Sequence, residues 1–313
     1  MGTIEKRALE PDAFVRHAEP FPSARTAFKA VLSRMGVPGQ GAVLLPAYIG
    51  WSRREGSGVF DPIRELGAPY DFYRVTRELR IDLADLARTL YQKRPRVLLL
   101  IHYFGYPDPL AKEAAALARD AGVLVVEDEA HALYSDLVGG VCGRWGSASI
   151  LSLHKMLPLD TGGLLLANDS RWYGGPAIES RGPTQAARLL DFDLVKIAMV
   201  RRRNARFLCR RLEAFRGHLT PLHRVLPHGV VPQSLPVILE QAPRDSVYAK
   251  LNEAGFGAVS LYHTLISEID TATFPDSYWI SRRVLNLPVH QDASQDALEA
   301  MVVHLATLLG TSV

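Results

Sequence analysis

The chain has 313 residues, 48% of them hydrophobic, with 36 basic against 33 acidic side chains and a net charge of +3. That charge is too small to point to a nucleic-acid partner, and no apolar run approaches the ~18 residues of a membrane span. Two cysteines, Cys142 and Cys209, are too few for a disulfide framework and are not placed as a metal pair. The length exceeds what one compact core usually holds, so two domains are expected. The start of the chain lacks a signal-like apolar stretch and carries Lys6 where a myristoylation site needs Ser or Thr, so a soluble, cytoplasmic, unanchored protein is expected.

In chain order, Ser23, Ala24, Arg25 and Thr26 open a helix expected over 26–35, whose first N–H groups could bind an anion; an ordinary N-cap at Ser23 is the alternative. A strand over 42–46 leads to Tyr48 and Trp51. A helix follows over 82–92 with Asp82 as N-cap, then a strand over 97–101 that runs into the turn His102-Tyr103-Phe104-Gly105. A helix over 109–121, stopped by Gly122, precedes a strand over 123–126 that closes on Glu127 and Asp128. Further strands are expected over 149–152 and 163–167. Strands so uniformly apolar suit a parallel sheet buried on both faces by helices. The remainder reads as a long helix from about 189 to 215, a segment marked by Pro227, Pro232, Pro236 and Pro243, a helix over 245–254, a short strand over 284–287 and a closing helix over 295–309. This places a large domain over 1–195 and a smaller α/β domain over 196–313. The long helix carries Arg201, Arg202, Arg203, Arg206, Arg210 and Arg211, read as a solvated or subunit-facing surface in preference to an anion site.

The chemistry concentrates where strands end, which is where open α/β sheets bind ligands. Lys155 stands 27 residues after Asp128, with Ser152 three places before it. Pyridoxal 5'-phosphate (PLP) needs a lysine amine, a carboxylate for its pyridine nitrogen, and hydroxyl or backbone donors for its phosphate. Lys155, Asp128 and Ser152 supply one of each, with the amine's pKa lowered by its surroundings so that it can attack and later move protons. Alone, each has a plain reading: a solvated lysine, a turn-capping serine, a carboxylate at a strand end.

The run Val126-Glu127-Asp128-Glu129-Ala130-His131-Ala132 resembles the strand-end motif of the DegT/DnrJ/EryC1/StrS aminotransferases, which are fold type I PLP enzymes. Residues 23–28, 102–107, 160–163 and 285–290 match the family in the same order. The resemblance implies that Asp128 pairs with the pyridine nitrogen and that His131 lies beside the ring. It also implies phosphate contacts from Ser152 and from Ala24, Arg25 and Thr26, although Ala24 stands where the family usually has glycine. Trp51 (or Tyr48) is placed where the family stacks an aromatic ring on the cofactor. His154, Tyr262, His263, Arg282 and Arg283 fall where such enzymes recognise substrate, an arginine there being able to hold a carboxylate. The spacing from Ser152 to Lys155 is the shorter one common in other fold type I aminotransferases.

These readings lead to an expected PLP-dependent aminotransferase, homodimeric, taking an amino group from an amino acid such as glutamate to a keto sugar or another small ketone or aldehyde. Dehydration, decarboxylation or aldol cleavage begins from the same cofactor chemistry and stands as the alternative, and a non-catalytic binding protein as the third reading. Retention of both Asp128 and Lys155 argues against the last.

Overall fold

The computed structural model describes residues 16–174 and 185–311; the N-terminal start with Lys6 lies outside them. In chain order the elements are β1 (His17–Phe21), α1 (Ala24–Arg34), β2 (Val43–Pro46), α2 (Phe60–Glu65), β3 (Tyr70–Tyr73), α3 (Leu83–Lys93), β4 (Val97–Ile101), α4 (Ala111–Asp120), β5 (Leu124–Asp128), α5 (Leu133–Leu137), β6 (Ala148–Ser152) and β7 (Gly163–Ala167). There follow α6 (Leu194–Arg211), β8 (Leu219–Pro221), β9 (Ser234–Leu239), α7 (Arg244–Glu253), α8 (Pro275–Ser281), β10 (Val284–Pro288) and α9 (Gln295–Leu309).

The first seven strands form one sheet in the order β1-β7-β6-β5-β4-β2-β3. Strands β3, β2, β4, β5 and β6 are mutually parallel, while β7 runs antiparallel between β6 and β1. All five residues of β4, β6 and β7 are buried, as burial on both faces requires of such apolar runs. The three short strands β8, β9 and β10 form a second, antiparallel sheet that packs with α7, α9 and the C-terminal part of α6 around its own apolar core. The expected α/β architecture is therefore present, a large, mostly parallel sheet covered by helices beside a smaller α/β unit.

Differences from the expected elements have local causes. β1 (His-Ala-Glu-Pro-Phe) and β3 (Tyr-Asp-Phe-Tyr) lie at the two sheet edges, where polar side chains are tolerated and the apolar signal fades. The proline-marked segment conceals β9, in which Pro236 lies one residue past the paired end of β8, where Pro221 meets Val237. The basic helix is corrected at one position: Arg201 is buried, on the side of α6 that faces the body of the protein, whereas Arg203, Arg206 and Arg210 are exposed as expected.

One contact fixes how the first helix meets the sheet. Phe21, Gly163 and Ser152 are cross-strand neighbours on β1, β7 and β6. A Cβ on Gly163 would lie 2.2 Å from the Ser23 carbonyl carbon and 2.4 Å from the Ala24 nitrogen. Only glycine lets the start of α1 press against β7 this closely, and Gly162 N–H donates to the Pro22 carbonyl at 2.9 Å to hold the approach. The start of α1 thereby arrives beside the end of β6. Because the obstacle is backbone, Gly163→Ala should cost about 1–3 kcal/mol or more through overpacking, read as a lowered denaturant midpoint at unchanged slope.

Candidate active site

Three parallel strands end together. β4 runs into the turn 102–105, β5 ends at Asp128, and β6 ends at Ser152, three residues before Lys155. Alternation along β5 sends Asp128 to one face and its neighbours Glu127 and Glu129 to the other. Glu127 accepts from His102 Nε2 at 2.9 Å and from the N–H groups of Gly143, Trp145 and Gly146, each at 2.8 Å. Burial alone would raise its pKa, but His102 and these backbone donors outweigh it and hold the carboxyl below its ordinary range. Glu127 thus anchors the loop that leads into β6, and His102 serves the backbone, its own N–H donating to the Asp128 carbonyl at 3.0 Å.

Asp128 is buried, and its Oδ1 accepts from the Ala130 N–H at 2.8 Å. Burial raises its pKa, opposed by that hydrogen bond and by the charges of Lys155 and His102. Lys155 is among the exposed residues, yet protein packed near its amine desolvates it and lowers its pKa against the opposing pull of Asp128 and Glu55. Its Nζ lies 3.4 Å from His131 Nε2. His131 Nδ1 accepts the Phe104 N–H at 3.3 Å, so a neutral His131 carries its proton on Nε2, facing the amine. Burial, and then Lys155, push the pKa of His131 well below the usual histidine value, so the ring is neutral at neutral pH. Phe104 makes this contact from a left-handed backbone conformation, φ 58°, and its ring stacks on His131 at an interplanar angle of 13°.

Ser23 caps α1 in a reciprocal box: Thr26 N–H donates to Ser23 Oγ at 3.2 Å and Ser23 N–H donates to Thr26 Oγ1 at 3.1 Å. Thr26 also gives its hydroxyl proton to the Ser23 carbonyl at 2.8 Å. Thr26 is therefore occupied within the cap, and of the four N–H groups a helix start leaves open, those of Ala24 and Arg25 remain. The Arg25 side chain turns away to the Glu55 carbonyl at 2.6 Å and to Asp61 at 3.3 Å. Ser152 Oγ lies 3.2 Å from His154 Nδ1, and burial followed by Lys155 lowers the pKa of that histidine.

The remaining candidates divide. Tyr262, at φ 59°, joins the group around His131, its ring 6.1 Å from the imidazole and in edge contact with Tyr48 at 5.4 Å. Tyr48 is fully buried, and its hydroxyl has no hydrogen-bond partner among the described residues. Trp51 is 43% exposed, with its backbone N–H on the Thr264 carbonyl; the rings gathered at His131 are those of Phe104 and Tyr262. His263 is exposed and contacts the Ser260 carbonyl. Arg282 and Arg283 precede β10, whose first residue pairs with Ile238. The site end of the small sheet is at Ser234, about 14 Å away along β9. Arg283 lies over the Trp279 ring, 4.9 Å from its centroid, and the structure does not bring either arginine to Lys155. Glu55, not singled out by the sequence reading, acts electrostatically on both Lys155 and His154. Its loop carries no motif, so folding alone reveals it.

The lowered pKa of Lys155 has a measurable sign. A depressed ammonium leaves more free amine at a given pH, so a small amine-specific reagent should modify Lys155 at lower pH than an ordinary exposed lysine. Peptide mapping across a pH series checks this; a midpoint in the ordinary lysine range would contradict it.

Comparison with known proteins bears on the family and the fold. The model of the DegT/DnrJ/EryC1/StrS aminotransferase family matches residues 13–174. A dTDP-4-dehydro-2,3,6-trideoxy-D-glucose 4-aminotransferase of Saccharopolyspora spinosa is 36% identical over 95 residues, 30% of this chain and 24% of that protein, so the matched stretch spans about a quarter of the relative. Among solved structures, the Helicobacter pylori aminotransferase PseC superposes with a TM-score of 0.76 at 18% identity, covering 95% of this chain and 87% of that one. DesV of S. venezuelae gives 0.75 at 18% identity, covering 95% and 86%. These likenesses carry the fold, and the family model, which takes in more than half of the sequence, carries the membership: the chain belongs to the DegT/DnrJ/EryC1/StrS aminotransferase family.

Proposed function

We propose that this protein is a PLP-dependent aminotransferase that moves an amino group from an amino acid donor, such as glutamate, to a keto sugar or another small ketone or aldehyde. The observation that carries the reading is the pairing of a buried carboxylate at the end of β5 with a desolvated amine at the end of β6. Asp128 has its carboxylate buried, with the Ala130 N–H as its hydrogen-bond donor among the described residues, so a cation placed against it is favoured. Lys155 offers an amine, and Ser152 with the Ala24 and Arg25 N–H groups offers donors for an anion. The donor set fits PLP group for group. The Saccharopolyspora relative acts on a nucleotide-linked keto sugar by its name, and this supports the keto-sugar half of the proposal.

With the cofactor bound to Lys155, its ring supplies the sink for the electron pair left when a proton leaves the donor carbon. The protein's part is separable from that chemistry. Asp128 would hold the ring nitrogen protonated. His131, neutral and with its proton fixed on Nε2 by the Phe104 N–H, would lie beside the ring and donate a hydrogen bond without changing charge. Lys155, released once the donor has bound, would move the proton, a task that its lowered pKa suits near neutral pH. Tyr262 and Phe104 exclude water from the side of His131 that they cover. We also propose that the enzyme works as a cytoplasmic homodimer, the commonest symmetric assembly; no helix among the described residues is long and apolar enough to cross a membrane.

Borohydride treatment of the purified protein should fix a pyridoxyl group on Lys155, mapped by peptide mass spectrometry. An amino donor given without acceptor should convert the bound cofactor to its amine form with one oxo acid released per site. Label on another lysine would overturn the site. Continuous turnover of a substrate with the spectrum always returning to its starting form would instead indicate elimination or decarboxylation. Asp128→Ala should retain the fold and lose turnover by ~10²-fold or more, since a neutral ring nitrogen cannot stabilise the developing charge; near-normal turnover would assign the role elsewhere.

A further inference from the structure

Helix α6 carries a cation into the body of the protein. Arg201 is 3% exposed, and the partners of its guanidinium are neutral oxygens. Its Nε donates to Gln291 Oε1 at 3.1 Å, Nη1 to the carbonyls of Gln233 at 3.1 Å and Pro232 at 3.5 Å, and Nη2 to the carbonyl of Met156 at 3.3 Å. The Tyr134 ring lies against the guanidinium, 5.4 Å from centroid to Cζ, and the Tyr134 hydroxyl donates to the same Met156 carbonyl at 3.2 Å. Among the described residues no carboxylate pairs with it, and Asp292 acts on it without making an ion pair; burying such a charge is costly and persists where directional hydrogen bonds offset it. The planar fork of arginine reaches four acceptors at once, which a lysine cannot do.

The acceptors are what give this residue a role. Met156 immediately follows Lys155, and its carbonyl is gripped from two sides, which fixes the turn closed by Leu157 N–H on the Leu153 carbonyl at 2.9 Å. Gln233 is the second acceptor, and its N–H donates to the Phe104 carbonyl at 2.8 Å. Phe104 in turn donates its N–H to His131. Gly105 permits this contact, since a Cβ there would lie 2.7 Å from both the Gln233 nitrogen and the Val231 oxygen. A single guanidinium therefore joins the turn that carries Lys155 to the 102–105 turn that holds the His131 ring, through the segment leading into β9.

We propose that Arg201 is a positioning residue that sets the Lys155 amine against His131; this rests on reading Lys155 as the reacting amine. The test follows the amine itself as well as activity. In the full-length chain freed of cofactor, the pH midpoint for modification of Lys155 by trinitrobenzenesulfonate is mapped by peptide mass spectrometry in wild type, Arg201→Gln, Arg201→Lys and Tyr134→Phe. Loosening the turn should return the amine to solvent, so Arg201→Gln should raise the midpoint by about one pH unit. In the cofactor-loaded protein the donor half-reaction should slow about tenfold or more with little change in donor KM, as expected for a misplaced group. Arg201→Lys should recover part of both effects. Tyr134→Phe, which keeps the ring and removes only the hydroxyl bond, should shift the midpoint in the same direction by less, and it decides the matter if Arg201→Gln does not fold. An unchanged Lys155 midpoint in the folded variants overturns the proposal. A wild-type chain in which Lys155 never takes up pyridoxal overturns the functional reading instead, while the midpoints still report on Arg201.

Discussion

The site depends on a carboxylate kept out of water without a full complement of partners. Asp128 sits at the end of a strand buried on both faces, and the chain gives it one backbone N–H and the nearby charges of Lys155 and His102. Burial disfavours its charged form, so a cation placed against it would be favoured. The same desolvation acts on Lys155 in the opposite sense, toward free amine. On the proposed function, Asp128 would face a positive ring and Lys155 would supply the nucleophile for its aldehyde.

The layer beneath Asp128 is acidic as well, and there Glu127 and Asp136 have strong partners. Glu127 takes four donors from His102 and the 143–146 loop. Asp136 takes both Arg16, at 2.6 Å, and Arg144, at 3.1 Å. Glu129, fully buried beside Asp136, has its pKa raised well above the ordinary range by burial and by that neighbour. Gly143 makes room for this cluster, since a Cβ on it would lie 2.4 Å from Glu129 Oε1. Three successive acids on one strand end thus meet three separate fates, set by side-chain alternation and by which donors each face supplies.

Much of this was legible in the sequence, and the reasons for the rest are physical. Central strands announce themselves because burial on both faces demands continuous apolar runs, so β4 and β7 appear where Val97–Ile101 and Gly163–Ala167 are written. Edge strands such as β1 and β3 have no such requirement. Asp128, His131, Ser152 and Lys155 stood out because PLP chemistry would need such residue types at strand ends, and the fold gathers Asp128, His131 and Lys155 there. The role of Thr26 was not, since a hydroxyl at a helix start can face a ligand or close a capping box, and only geometry shows that it closes the box with Ser23. Nor was the aromatic at His131: Phe104 reaches it through a left-handed backbone that no local pattern specifies.

Arg201 shows the limit most clearly. In a run of arginines on a long helix each residue reads as solvated, because composition does not say which way a helix faces. The exposed members, Arg203, Arg206 and Arg210, follow that rule. Arg201 is separated from them by the helical turn, and its side of α6 meets the Met156 carbonyl and the lead into β9. The apolar residues on α6 divide in the same way: Ala198 packs with Leu153 and Met156 of the lysine turn, while Ala205 and Leu208 enter the core of the small sheet. One helix therefore belongs to both cores, and the buried guanidinium stands between them. The physical content of the basic run lies less in its charge than in the geometry of one planar cation, which can satisfy carbonyls from two parts of the fold at once.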